Sequence, residues 1–287
     1  MKMARPVRTA HTRWVQRVRE DLPDVVFSYP ALRPLRERAT MLLHGSASRG
    51  VHDRWSDLDV WLWVSPRELR AIDAASPTRF FEFFLGGRPG HANAESRDHV
   101  LAMIRGCDFG LIHELRRAIV VRDPDGFGRK MIALARRPMR AALRRRLFFY
   151  HYVEMRGYHR NLDNPLNRGD RASVLLALGV TLGHALRAAM VLDGAPPPYD
   201  KWLPQAAAET PTGRLGVQAF ARIMLLVGRG ALNRAQDEVR HPVNLELRKI
   251  RAGLVDAAHR HGIREPWLGK WYLHIDQARA AGVRARW

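Results

Sequence analysis

The eight residues "DLDVWLWV", Asp57 to Val64, constrain the fold more than any other stretch of the chain. Successive side chains on a strand point to opposite faces, so Asp57, Asp59, Trp61 and Trp63 share one face and Leu58, Val60, Leu62 and Val64 the other. A sheet with one apolar face turned to a core satisfies both sets. Upstream, "TMLLH" (Thr40 to His44) is a short apolar run that Gly45 ends, which predicts a second strand joined to the first by a small helix. Residues from Thr9 to Glu37, punctuated by Pro23, Pro30 and Pro34, read as helix, loop and short helix. Ser65-Pro66 opens a helix to about Ala74, because proline is tolerated in a first turn. "LGGRPGHANAESRD" reads as a loop from its Gly, Pro and Asn content, and "HVLAMIR" and "DFGLIHEL" as a third and fourth strand turning at Gly106-Cys107. "AIVVRDPDG" adds a short strand and a turn.

After Gly128 the period changes. Residues 129 to 160, 171 to 193, 212 to 232 and 244 to 261 carry helical patterns, broken by "NPLNRGD" and "DGAPPPYDKWLPQ". The expected architecture is therefore α+β, a mixed sheet with flanking helices over residues 1 to 127 followed by an all-helical bundle over residues 128 to 287. A chain of 287 residues is comfortable for two such domains. With 46% hydrophobic and 26% charged residues it is neither disordered nor fibrous in type. The single cysteine, Cys107, excludes an intrachain disulfide, and the basic opening "MKMARPVRTAHTRWVQ" lacks the apolar core of a signal peptide. Both suit a cytoplasmic location. "SVLLALGVTLGHALRAAMVL", Ser173 to Leu192, approaches the length of a membrane span but contains His184 and Arg187, so a buried helix is expected and no membrane partner.

The formal charge of +20 is unevenly placed. Residues 1 to 127 hold 20 basic against 16 acidic side chains, and residues 128 to 287 hold 28 against 12. Such a field favours anionic partners, nucleotides or RNA among them. Of the 48 basic residues only five are lysines, a bias that GC-rich coding alone can produce. Arg137, Arg140 and Arg144 have helical spacing, which fits a solvated face better than a track for a phosphate backbone.

The paired aspartates carry the chemistry. Two carboxylates that close repel each other unless a multivalent cation lies between them, and hard oxygen donors of this kind suit Mg²⁺ with substrate phosphates completing its shell. Gly45-Ser46 falls where a strand hands over to a helix, whose free N–H groups form an anion site. Arg49 lies one turn on, and Gly50 can end the helix in a left-handed conformation. A phosphate cradle thus precedes a pair of metal carboxylates. Trp61 and Trp63 suit packing better than base stacking.

"GSASRGVHDRWSDLDVWL" resembles the active-site signature of the DNA-polymerase-β-like nucleotidyltransferases, in which Gly-Ser is followed about ten residues later by Asp-x-Asp. "GSxxRG" and "SDLD" are most similar to the branch holding antibiotic adenylyltransferases, of the aminoglycoside and lincosamide type, and minimal nucleotidyltransferases. The resemblance implies a third carboxylate from a later strand, matched here by Asp108 in "CDFGLIHE", with Glu114 and Asp98 as substitutes. It implies two Mg²⁺ ions on Asp57, Asp59 and Asp108, with Asp108 either completing the second metal site or accepting the hydroxyl proton. Gly45, Ser46, Arg49 and Lys201, the last within "PPPYDKWLP", would bind the nucleotide. The implied reaction moves a nucleoside monophosphate, from ATP, to the hydroxyl of a small acceptor such as an antibiotic or sugar, with loss of pyrophosphate. Two rival readings go with it: modification of tRNA or a partner protein, as in toxin–antitoxin systems, and a nucleotide-binding regulator without turnover. The resemblance touches residues 44 to about 204. A helical half this basic argues against a polycationic aminoglycoside as acceptor and leaves RNA as a possible partner.

Overall fold

The computed structural model describes residues 5–51, 53–232, 236–283 and 287, with side chains from Trp14 onward. It divides into two compact units, one ending at Arg137 and the other beginning at Pro138.

In the first unit, helix α1 (Arg5–Val26) precedes β1 (Thr40–His44), a short α2 (Gly45–Arg49) and β2 (Leu58–Val64). Helix α3 (Pro66–Ala75) starts at Ser65, whose side chain accepts the Glu68 N–H while the Glu68 carboxylate accepts the Ser65 N–H. That reciprocal cap fixes where the expected helix begins. The hairpin β3 (Phe80–Leu85) and β4 (Arg88–Ser96) turns on Gly86-Gly87, both with positive φ, as a tight two-residue turn requires. Helices α4 (Arg97–Arg105) and α5 (Phe109–Leu115), strand β5 (Ile119–Arg122) and helix α6 (Phe127–Ala135) complete the unit.

The sheet is mixed, with strand order β3-β4-β2-β1-β5. Strand β2 runs antiparallel to β1 and parallel to β4, so His44 lies opposite Asp59 on one side and His91 on the other. One face is apolar. Leu43, Leu58, Val60, Leu62, Ala92 and Phe83 bury there with Leu22 and Val26 of α1 in a single core. Each of those large side chains contributes about 1.5–3 kcal/mol by leaving water, which pins β2 with Asp59 facing away from α1. On the opposite face the Trp63 ring meets Phe127 of α6 edge-on at 5.8 Å, and Asp123 accepts the Gly128 and Arg129 N–H groups that open α6.

The structure revises the strand assignment. "HVLAMIR" and "DFGLIHEL" are helices α4 and α5, and the strand parallel to β2 is β4, inside the stretch whose composition reads as a loop. Gly90, Ala92 and Ala94 on the core side of β4 are small for a reason. A Cβ on Gly90 would lie 2.5 Å from the Phe83 ring.

The second unit is helical. It comprises α7 (Ala141–Arg160), α8 (Asp163–Arg168), α9 (Arg171–Leu192), α10 (Leu203–Ala207), α11 (Pro211–Gly228), α12 (Pro242–Arg260) and α13 (Ile275–Val283). Pro138 breaks the continuous helix expected over 129 to 160, so Arg137, Arg140 and Arg144 do not form a stripe on one helix. Among the described residues α9 is the helix long and apolar enough to cross a membrane, and 56% of its most apolar window is buried. Leu178, Leu182, Ala185, Leu186 and Met190 form its inward side. The cap of α12 is a histidine: Nδ1 of His241 accepts the Val243 N–H and Nε2 donates to the Ala231 carbonyl, which defines its tautomer.

Candidate active site

Strand β1 ends at His44, and the chain enters α2 through Gly45 with φ of +72°. That conformation favours glycine, and the space demands it. A Cβ on Gly45 would lie 2.1 Å from Oδ2 of Asp59, so the Asp59 carboxylate rests directly against the backbone of the Gly-Ser turn. At the far end Gly50 closes α2 in the left-handed conformation, as its place in the sequence predicts.

Two strands deliver the polar groups. Asp59 points from β2 to the face away from α1, Asp57 stands just before the strand, and His91 projects from the paired position on β4. His91 Nε2 lies 3.2 Å from Asp59 Oδ1, and its Nδ1 lies 3.6 Å from Asp57 Oδ2. One donor atom from each of the three lies within 4.8 Å of the others. Asp59 and His91 are partly buried, whereas Asp57 opens to solvent. The Phe80 ring stacks on His91 at 4.6 Å and fixes the imidazole plane.

Two acidic oxygens and one imidazole nitrogen converging from rigid strands are a donor set for a divalent cation. The Asp59 carboxylate reaches the cluster because position 45 carries no side chain. The fit to Mg²⁺ rests on the two carboxylates, and the imidazole broadens it to Mn²⁺ and other first-row ions.

Asp108 lies outside this group of donors. Its side chain caps α5 by accepting the Leu111 N–H at 2.9 Å, the usual use of an aspartate at the start of a helix. Asp98 is exposed in the first turn of α4. Glu114 has a different place from either. It is buried, accepts the Gly45 N–H on Oε2 at 3.1 Å, and faces Arg49 Nη1 at 3.9 Å. Arg49 is buried as well, with Nε donating to the Gly45 carbonyl at 3.2 Å. Glu114 and Arg49 therefore hold the Gly45 turn from beneath, and the amide expected to meet a phosphate is bound to a carboxylate. Ser46 is buried in the same turn.

Trp61 stacks on His44 at 3.7 Å and on Trp63 at 5.6 Å, forming a packed aromatic row beside the site. Lys201 lies in the helical unit, exposed in a short 3-10 turn with its Nζ 5.7 Å from the centre of the Trp202 ring. His91 is the residue that sequence reasoning missed. Its signal was the alternation "GHANAES", small residues against polar ones, hidden in a turn-like composition.

No protein-family model matches the chain, and no curated protein matches it. Among solved structures the chain is similar to the crystal structure of a nucleotidyltransferase-like protein from Exiguobacterium sibiricum 255-15. The TM-score is 0.42 and the identity 10%, over 88% of this chain and 76% of that one.

Proposed function

We propose that the sheet unit carries a metal-dependent nucleotidyltransferase site, which moves a nucleoside monophosphate from a nucleoside triphosphate, ATP by resemblance, to an acceptor hydroxyl. The observation that carries this reading is the meeting of Asp57, Asp59 and His91 at the Gly45-Ser46 turn, because the motif residues and the convergent donors coincide in space. In the reaction the acceptor oxygen bonds to the α-phosphorus, the bond between the α-phosphorus and the bridging oxygen breaks, and pyrophosphate leaves with that oxygen.

Asp57, Asp59 and His91 would hold the divalent cation. Bound there, it supplies charge stabilisation at the phosphates and lowers the pKa of the acceptor hydroxyl. The chain's own contribution is placement. The apolar face of β2 fixes Asp59, Phe80 fixes His91, and the glycine at position 45 leaves room for the carboxylate. The Asp57 carboxylate, the most exposed of the three, would accept the proton of the incoming hydroxyl. Ser46 at the start of the turn would donate to the triphosphate. Arg49 serves the turn through Gly45 and Glu114.

The field of the helical half, with 28 basic against 12 acidic side chains from residue 128 on, favours a neutral or anionic acceptor over a polycation. With Mg²⁺ or Mn²⁺ and α-labelled ATP, the purified protein is expected to release pyrophosphate and label a hydroxylated acceptor. Asp57→Asn and Asp59→Asn are expected to abolish both. Equal product from wild type and Asp59→Asn, or none from wild type across neutral sugars, lincosamide-like drugs, tRNA and co-purified protein, would remove this reading.

A further inference from the structure

The second unit contains a cleft of about 510 Å³, within the size range of small-molecule sites, that the proposed reaction does not use. Its walls are α7, the start of α8, α12 and the short turn Trp271–Leu273. Helix α7 presents Arg156, His159 and Arg160 at one-turn spacing, and α12 presents Arg248 and Arg251 in the same way. Four guanidinium groups thus share one hollow.

Some arginines elsewhere in this unit are matched with acids. Arg145 pairs with Glu265, Arg187 with Asp200, Arg222 with Glu246 and Arg279 with Glu154. In the cleft one carboxylate, Asp163, is bound by Arg160 at 3.1 Å, and no ion pair is formed by Arg156, Arg248 or Arg251 among the described residues. Burial raises the Asp163 pKa, Arg160 opposes the rise, Glu238 adds to it and Arg248 opposes it. Like charges gathered this closely repel unless an anion joins them.

The cations are also held in place. The Arg156 guanidinium lies over the Trp271 ring at 5.5 Å, and its Nε is buried without a hydrogen-bond partner. His159 donates from Nε2 to the Oδ1 of Asn244, whose Nδ2 donates to the Glu238 carbonyl at 2.6 Å, so the imidazole plane and tautomer are set from behind. Burial keeps His159 below its ordinary pKa, the hydrogen bond to Asn244 opposes this, and the charges of Arg156, Arg251 and Arg248 add to it. Trp271 and Tyr272 supply flat apolar wall beside the guanidinium groups.

We propose that this cleft binds a small phosphate-bearing ligand with a planar ring, of nucleotide size, its phosphate held by Arg248, Arg251 and Arg156 and its ring lying against Trp271 or Tyr272. Forked guanidinium groups match phosphate oxygens in pairs, and indole and phenol faces match a ring. The cleft lies within the helical unit, and its ligand does not depend on the chemistry proposed for the sheet unit.

Adenosine 5′-monophosphate, titrated calorimetrically into the full chain with EDTA present, is the probe. One saturable site is expected that adenosine at the same concentration does not fill. Arg248→Ala combined with Arg251→Ala is expected to weaken binding at least tenfold, whereas Asp57→Asn leaves it unchanged, which separates this site from the one in the sheet unit. Both arginines lie on a helix surface and are only partly buried. If the double alanine variant melts early, the double lysine variant, which keeps the charge and loses the fork, is expected to bind several-fold more weakly. Trp271→Ala is expected to weaken the monophosphate more than inorganic pyrophosphate. The proposal is overturned if the monophosphate does not bind, if the arginine variants bind it as wild type does, or if a short RNA binds with a steep salt dependence where the monophosphate fails.

Discussion

A side chain at Gly45 and the carboxylate of Asp59 would occupy the same space, since a Cβ on Gly45 falls 2.1 Å from Oδ2 of Asp59. The turn and the Asp59 carboxylate are therefore one structure. Gly45→Ala must both adopt φ near +72°, which costs an L-residue about 1–2 kcal/mol, and push the carboxylate aside. The expected outcome is a stability loss of about 1–3 kcal/mol in urea unfolding together with loss of metal binding. A variant that folds less stably yet binds metal as well as wild type would contradict the link.

His91 lies beside both aspartates, its Nε2 3.2 Å from Asp59 Oδ1 and its Nδ1 3.6 Å from Asp57 Oδ2. If it serves as a ligand, His91→Asp keeps a donor at that position and makes the set harder. Mg²⁺ affinity in His91→Asp is expected to stay within about threefold of wild type, while His91→Ala loses at least about tenfold. Titration of each variant with Mg²⁺ and Mn²⁺ checks this, and an unaffected His91→Ala would remove the imidazole from the site.

Glu114 and Arg49 are both buried beneath the turn. Removing one partner of a buried charged pair leaves the other without compensation, so Glu114→Ala is expected to cost about 3 kcal/mol by denaturant unfolding. Glu114→Gln retains an acceptor for the Gly45 N–H and is expected to cost less. Equal losses in the two variants would show that charge, and not the hydrogen bond to Gly45, decides the effect.

In the helical unit, Nδ1 of His151 and Nδ1 of His184 meet at 3.1 Å. Burial, then the charge of Arg187, brings His184 down to about 4, and burial, then His184 and Arg187, holds His151 well below its ordinary value. Both groups are raised to their ordinary pKa on unfolding, so the unfolded chain binds more protons than the folded one below about pH 6.5. Their contribution is fully present above that pH and is lost as pH falls through about 4. For His184 alone the full span is about 3 kcal/mol. His184→Gln is expected to flatten the pH dependence of unfolding of this unit between those limits, and an unchanged slope would show that the imidazole is not the group responsible.

The sequence made β2 and the Gly-Ser turn legible because both follow from local rules: strict alternation over Leu58 to Val64, and glycines where φ is positive at positions 45 and 50. The start of α3 at Ser65-Pro66 was legible in the same way. Strand β4 was hidden because its inward residues had to be small to fit beneath Phe83, which gives it the composition of a loop. Helices α4 and α5 were hidden because short apolar runs fit either period. Their polar starts, Ser96 and Asp108, were the clue, each side chain accepting an N–H of the first turn. Reading Asp108 as a strand residue set it beside the aspartate pair, whereas the parallel pairing of β2 with β4 brings His91 beside Asp59.

The central claim is that Asp57, Asp59 and His91 hold a divalent cation against the Gly45-Ser46 turn for use with a nucleoside triphosphate. Its most direct test is Mn²⁺ binding, followed by electron paramagnetic resonance, with and without a non-hydrolysable ATP analogue, on wild type and Asp59→Asn. Saturable Mn²⁺ binding that the analogue strengthens in wild type, and that Asp59→Asn abolishes in both conditions, is the result predicted. Mn²⁺ binding of equal strength in Asp59→Asn, or binding in wild type that the analogue leaves unchanged, would contradict it.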